Sequence, residues 1–205
     1  MNKESIVLGS GDLYCMEFEG EQKAAIPADD IIETEENRLG HIKGGASMEY
    51  TPSYYEAKDD MGKVAKIILT EEAAMLKSGI MTWCGKTLEK LCQTARVTEA
   101  GNRRTARIGG IGNASGKKWL IRFLHRDSEE GDIRVTIIGT NKAGFTIAFA
   151  KDSETVIDAE FHAQPLDGDG TLILYSEVID PKKEPQGGTT PDDTDDTDDT
   201  GDTGE

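Results

Sequence analysis

DIRVTIIGTNKAGFTIAFAKDSETVIDAEFHAQPLDGDGTLILYSE, residues 132–177, decides the fold class. Four short apolar runs follow one another here: DIRVTII (132–138), AGFTIAFA (143–150), TVIDAEFHA (155–163) and TLILYSE (171–177). Only turn residues separate them, GTNK, KDSE and PLDGDG. Alternation over short runs bounded by Gly, Asp, Asn and Pro predicts a meander of strands, one face buried and one wet. In the third run Ile157, Ala159, Phe161 and Ala163 point one way, and Val156, Asp158, Glu160 and His162 the other. A slip of one residue would bury two carboxylates, so the register is strongly specified. In the second run Phe145, Ile147 and Phe149 are expected to line a core face, backed by the small residues Thr146, Ala148 and Ala150.

Working outward, Lys118–His125 alternates as a strand, with Trp119, Ile121 and Phe123 on one side and Leu120, Arg122 and Leu124 on the other. Asp12–Phe18 also reads as a strand, and both of its faces are partly apolar, which suits burial on two sides. Cys84–Ala95 is the best helix candidate: Cys84, Leu88, Leu91, Cys92 and Ala95 form one apolar stripe. Lys63–Thr70 is a strand candidate, and Glu71–Ser78 is ambiguous, a helix by propensity alone. A short strand is expected at Ala24–Ile26. His41–Ala57 looks extended; Tyr54 and Tyr55 are adjacent and so point to opposite faces of any strand. The glycines Gly44, Gly45 and Gly62, with Pro52, argue against one rigid strand across Gly44–Lys66. The expected core comprises Leu88, Leu91, Trp119, Ile121, Phe123, Phe145, Ile147, Phe149, Ile157 and Phe161.

The chain has 205 residues, 36% hydrophobic and 30% charged, enough for one core-forming domain with extensions. It contains no run of about 18 apolar residues and no apolar segment of the kind that marks a secretory signal. Of the net charge of −16, −7 falls from Pro181 onward, where nine acids face two lysines, and −9 on residues 1–180. An acidic body argues against tight nucleic-acid binding, which needs Lys/Arg surfaces. The segment PKKEPQGGTTPDDTDDTDDTGDTGE, residues 181–205, has no aromatic and no large aliphatic residue, so it is expected to be a disordered acidic tail after a domain spanning 1–180.

No motif points to catalysis. RIGGIGNASGKKW fails as a phosphate loop: Ile111 stands where the first glycine is required, and Lys118 where Ser or Thr belongs. It also fails the dinucleotide pattern, because Ser115 holds the third glycine position. Asp167-Gly168-Asp169-Gly170 lacks the spacing and the bidentate Glu of a calcium loop and reads as a turn. His41, His125 and His162 are scattered, and Cys15, Cys84 and Cys92 have no metal or redox spacing. Asp158 and Glu160 read as a solvated strand face, and no cofactor is expected.

The order and texture of three segments carry a family likeness: IVLGSGDLYCMEF (6–18); GGASMEYTPSYYEAKDDMGKVAKIILTEEAAMLKSGIMTW (44–83) followed by TLEKLC (87–92); and GDIRV to LYSE (131–177). Together they resemble the major tail tube proteins of tailed bacteriophages. The resemblance implies a mainly β fold, a β-sandwich or barrel-like tail tube domain with one flanking α-helix and long extended loops. It implies a virion protein of the tail, assembled in the host bacterial cytoplasm without membrane insertion. Its subunits would form hexameric rings stacked into a hollow tube, a conduit for the tape-measure protein and then for DNA, which passes without tight binding. Further partners would be a tail terminator, tail-tip or baseplate proteins and, in contractile tails, a sheath. The family carries no catalytic residues. Position and the adjacent tyrosines make Tyr50, Tyr54, Tyr55, Lys58 and Met61 the expected inter-subunit or inter-ring contacts. The acidic tail has no counterpart in the family and is expected to project outside the tube. Two other classes fit less well: a tube protein of a phage-derived bacteriocin or type VI secretion-like particle, and a surface carbohydrate-binding β-sandwich, which would require export and an aromatic-lined groove.

Overall fold

A computed structural model describes residues 9–19, 26–62 and 64–179. The fold is mainly β. Its elements are β1 (Asp12–Phe18), α1 (Asp29–Ile32), β2 (Ile42–Lys58), β3 (Val64–Ile80), α2 (Gly85–Leu91), β4 (Arg96–Ala100), β5 (Arg103–Arg107), β6 (Lys118–His125), β7 (Ile133–Asn141), β8 (Ile157–Gln164) and β9 (Leu174–Glu177). Seven strands form one antiparallel sheet in the order β1-β6-β7-β8-β3-β2, with β9 also on β7, and β4 and β5 form a separate hairpin. One edge of β7 is shared: its Ile133–Thr136 half opposes β9, and its Ile138–Asn141 half opposes β8.

The β1–β6–β7 part of the sheet is buried on both faces, which is why its strands read as apolar on both sides. On one face Leu13, Cys15, Trp119, Ile121 and Ile137 pack with Leu76, Ile80, Ile157 and Phe161 under Leu88 and Leu91 of α2. On the other, Tyr14, Phe18, Leu120, Leu124 and Ile138 pack under Ile32 of α1 and Leu166. The outer edge of β1 is covered: the Cys15 amide donates to the Asn37 carbonyl (2.7 Å), and the Leu39 amide to the Leu13 carbonyl (2.8 Å). The outer edge of β2 has no strand beside it among the described residues.

The alternating register of β8 is observed, with Ile157, Ala159 and Phe161 buried and Asp158 exposed. The second run of the meander is not a strand. Residues 142–156 loop out, because β8 pairs directly with β7 on one edge and with β3 on the other. No position in the sheet is left for a strand between β7 and β8. Without a strand's alternation the expected core face breaks up: Phe145 and Ile147 reach the core margin, but Phe149 is 86% exposed. Its ring meets only the edge of the fold at Trp83, 6.4 Å between centroids. Of the remaining expected core residues, Leu88, Leu91, Trp119, Ile121, Ile157 and Phe161 are buried, and Phe123 packs against them half-buried.

The helix expected over Cys84–Ala95 is shorter, Gly85–Leu91. Its N-terminus is capped locally, with the Cys84 amide donating to Thr87 Oγ1 (3.1 Å). At its other end the Asn141 side-chain amide donates to the Leu91 carbonyl (3.0 Å), and Cys92 turns extended at φ −137°. A tertiary hydrogen bond thus takes a carbonyl that another helical turn would have used. Glu71–Ser78 lies wholly within β3, where pairing to β2 overrides helix propensity. In the expected strand at Ala24–Ile26, Ala24 and Ala25 lie outside the described residues and Ile26 is in no strand. The acidic tail also lies outside them.

Phe161 is fully buried at the join of β8 and β3, opposite Leu76. Phe161→Ala should therefore lower unfolding free energy by about 3–5 kcal/mol. Glu160→Gln on the wet face should change it by less than about 1 kcal/mol. Urea unfolding of both variants checks the register, and equal losses would refute it.

Candidate functional site

The most unusual surface is the far half of the β2–β3 hairpin. β3 pairs with β8 only over Met75–Ile80. From Ala73 to Val64 it has β2 alone for company, a two-stranded ribbon reaching roughly 30 Å beyond the sheet at about 3.3 Å per residue. Gly44 and Gly45, at φ 82° and 74°, do not end β2; they make a register shift between Lys43 and Ala46, and two more shifts follow at Ser53/Tyr54 and Ala57/Lys58. Pro52 has no N–H to give to a ladder and is tolerated because β2 is an edge strand.

The ribbon carries apolar side chains on both faces. Tyr54 lies opposite Leu69, and Tyr55 opposite Ile68, so the two pairs point to opposite sides. Tyr54, Tyr55 and Ile67 are each more than half exposed, and Ile68 and Leu69 nearly so. Of the five expected contact residues, Tyr50, Tyr54, Tyr55 and Lys58 lie along β2, and Met61 stands at the ribbon tip, 83% exposed. Tyr50 and Lys58 have local partners: the Tyr50 hydroxyl donates to Glu72, and Lys58 pairs with Glu56 at 3.0 Å. Tyr50 and Glu72 also border a shallow space of about 320 Å³ against residues 169–173. Tyr50 is its one aromatic side chain, so it is no stacking groove for a sugar.

No protein-family model and no curated protein matches the chain. Function therefore rests on the molecule's own chemistry. Among the described residues no three His, Cys, Asp or Glu side chains converge to hold a metal ion, and no helix is long and apolar enough to cross a membrane. The glycine-rich segment after β5 contains only a single 3-10 turn, Ile111–Asn113, with Ile111 almost fully exposed. Asp167 closes its own turn, accepting from the amides of Asp169 (3.1 Å) and Thr171 (3.0 Å), and hydrogen bonds from Thr171 hold its carboxyl below the ordinary value. Burial pushes the Cys15 thiol up to about 12, so it is a packed hydrophobe rather than a nucleophile. His125 is buried with Nδ1 2.8 Å from the Ser10 carbonyl, and its Nε2 has no hydrogen-bond partner among the described residues.

Two charged features were not foreseen from sequence. The first lies under α1. Arg122, 3% exposed on β6, pairs with Asp29 and, at 3.2 Å, with Glu33, while its Nε donates to Thr136 Oγ1 (2.9 Å). Arg134 pairs with Glu33 at 2.7 Å and with Asp132 at 3.5 Å. Glu33, hydrogen-bonded to Arg134, raises the Arg134 pKa. Each of these charged side chains has a partner of opposite sign, and two of the carboxylates, Asp29 and Glu33, belong to α1 and its C-cap, so the cluster clamps α1 to the sheet. An arginine set between Leu120 and Leu124 in an apolar strand is the signal that could have found it.

The second is the β4–β5 hairpin, closed by Gly101 and Asn102. Val97 lies opposite the half-buried Ala106, which packs against the core. The opposite face carries Arg96, Arg103 and Arg107, all exposed. Its signal is RVTEA-GN-RRTAR, two short runs around a Gly-Asn turn.

Arg122 is buried, and removing it leaves the mostly buried Glu33 with Arg134 as its remaining cation and strips Thr136 of its donor. Arg122→Ala should cost about 3–5 kcal/mol of stability. Asp30→Ala, beside it on α1 but outside the cluster, should cost less than about 0.5 kcal/mol. Thermal unfolding distinguishes them, and a harmless Arg122→Ala would show that the clamp is dispensable.

Proposed function

We propose that this chain is a structural virion protein that self-assembles into stacked hexameric rings forming a hollow phage tail tube, the conduit for tape measure and DNA. The projecting β2–β3 ribbon carries this reading. A two-stranded hairpin is at best marginally stable alone in water, and this one presents apolar residues to solvent on both faces. A neighbouring subunit on each side would cover Tyr54 with Leu69 and Tyr55 with Ile68. Tyrosine gives large contact area at low entropic cost, which suits an interface.

Two other observations support it. The outer edge of β2, Ile42–Lys58, is long and has no strand beside it among the described residues, which natural sheets avoid unless something covers it. The body is acidic, so a lumen walled by it would repel phosphate and let DNA move. The tape measure, terminator, tail-tip or baseplate proteins and a sheath would be the partners of such a tube, located in the virion tail.

Electron microscopy of the purified protein at high concentration tests the reading. Rings or tubes are the expected result, and a protein that stays monomeric refutes it. Tyr54→Ser with Tyr55→Ser should abolish tubes while lowering stability by no more than about 2 kcal/mol, the scale of two cross-strand pairs. A folded double variant that builds normal tubes would move the interface off the ribbon.

A further inference from the structure

The charge of this molecule is unevenly distributed. Residues 96–118 hold six Lys/Arg against one acid, Glu99, in a chain of net charge −16. Glu99 is occupied by Arg104 at 2.7 Å on the inward face of the hairpin. Arg96 and Arg107 face each other across the strands, and Arg103 stands four residues along on the same side. Among the described residues Arg96 donates to the Gly109 carbonyl (3.5 Å) and Arg107 to Thr98 Oγ1 (3.4 Å), both neutral acceptors. No acid of the described residues pairs with these three.

We propose that this arginine face receives the acidic C-terminal segment, residues 181–205, of a neighbouring copy of the chain. Chemistry matches first: from Pro191 onward the segment carries eight acids and no base. Spacing matches next. The Asp pairs Asp192-Asp193, Asp195-Asp196 and Asp198-Asp199 recur every three residues, about 10 Å in an extended chain. Arg103 and Arg107 are four strand steps apart, about 13 Å, within the swing of guanidinium side chains that fork carboxylates.

Asp192 lies 13 residues beyond Ile179, a reach of roughly 43 Å when extended, so length alone allows the chain's own hairpin as well as a neighbour's, and end-to-end stacking favours the neighbour. β9 runs out at the Ile133 end of β7, where the Val178 amide donates to the Asp132 carbonyl (3.0 Å). The hairpin is rooted at the other end: Gly109 donates to Thr94 (3.2 Å) beside α2, and α2 is tied to Asn141. Those ends of β7 are about 26 Å apart. In head-to-tail stacking the exit of one copy meets the hairpin of the next, a heterologous contact that repeats without closing. Nucleic acid is the weaker occupant, since the charge outside residues 96–118 repels phosphate. This inference rests on the tube reading for its geometry, but its test needs no tubes.

The test uses fluorescently labelled full chain at nanomolar concentration, titrated with a synthetic peptide of residues 181–205. Three proteins are compared: wild type, a variant with the seven tail aspartates from Asp192 to Asp202 changed to Asn, and Arg96→Gln/Arg103→Gln/Arg107→Gln. The first two should bind the peptide alike, with affinity falling as salt rises, and the arginine variant at least about tenfold more weakly. Equal binding by the arginine variant overturns the site. Wild type binding about tenfold more weakly than the tail variant would mean that its own tail already occupies the face, which overturns the neighbour. A 25-base-pair duplex that binds the same arginines more tightly than the peptide overturns the occupant. Loss of tubes in micrographs with peptide binding intact would sink the tube reading and leave this contact standing.

Discussion

Everything outside the sheet's first half depends on the pairing of β3 with β8. Met75–Ile80 lies against Ile157–His162, placing Leu76 opposite Phe161 and Ile80 opposite Ile157. Those four side chains are buried in the main core. The join has two effects. It welds the base of the long hairpin into the body, and because it stops at Met75 it leaves the rest of the hairpin free. A longer β8 would have absorbed more of the ribbon into the sheet.

The second face of the sheet is held differently. Ile32 and Leu166 supply some apolar cover, but α1 is only four residues long and could not stay in place by burial alone. Arg122 and Arg134 rise from β6 and β7 and take the carboxylates of Asp29 and Glu33. A buried ion cluster adds little net stability compared with apolar residues of the same shape, but it fixes position. Here it fixes where the connection between β1 and β2 crosses the sheet. The chain then returns past β1, covering that edge through Asn37 and Leu39. At the other end of the strand order, β2 has no strand on its outer edge among the described residues.

Sequence reading succeeded where period and burial agree. β1, β6, β7 and β8 alternate, face a core, and lie close to where their residues placed them. It failed at 143–150, where Phe145, Ile147 and Phe149 have strand periodicity but no partner strand is free. Periodicity reports a face; it does not report whether an edge is available. Charges were harder still. In the sequence Arg122 is one polar residue between Leu120 and Leu124, and only tertiary structure brings Asp29 and Glu33, far away in sequence, to it. The Arg96–Arg107 hairpin was hidden by the acidic total, since a net charge says nothing about where cations gather. Tyr54 and Tyr55 were legible as a pair with no common face, and the structure leaves both outside the core.

The strand order also governs how the chain comes together in time. Asp12 lies opposite Leu124, and Met75 opposite His162, so the body closes only after distant segments meet. Sheets built from such non-local pairs fold in roughly milliseconds to seconds. The β2–β3 hairpin is entirely local, and hairpins form in about 1–10 μs. The ribbon therefore forms transiently, and only marginally stable, before the body that carries it. During that interval its apolar faces are open to any other nascent chain, and the strand edges of the unfinished body are open too. The surface proposed to join finished subunits is also the one most exposed to premature association, so the yield of correctly folded protein should fall as its rate of synthesis rises.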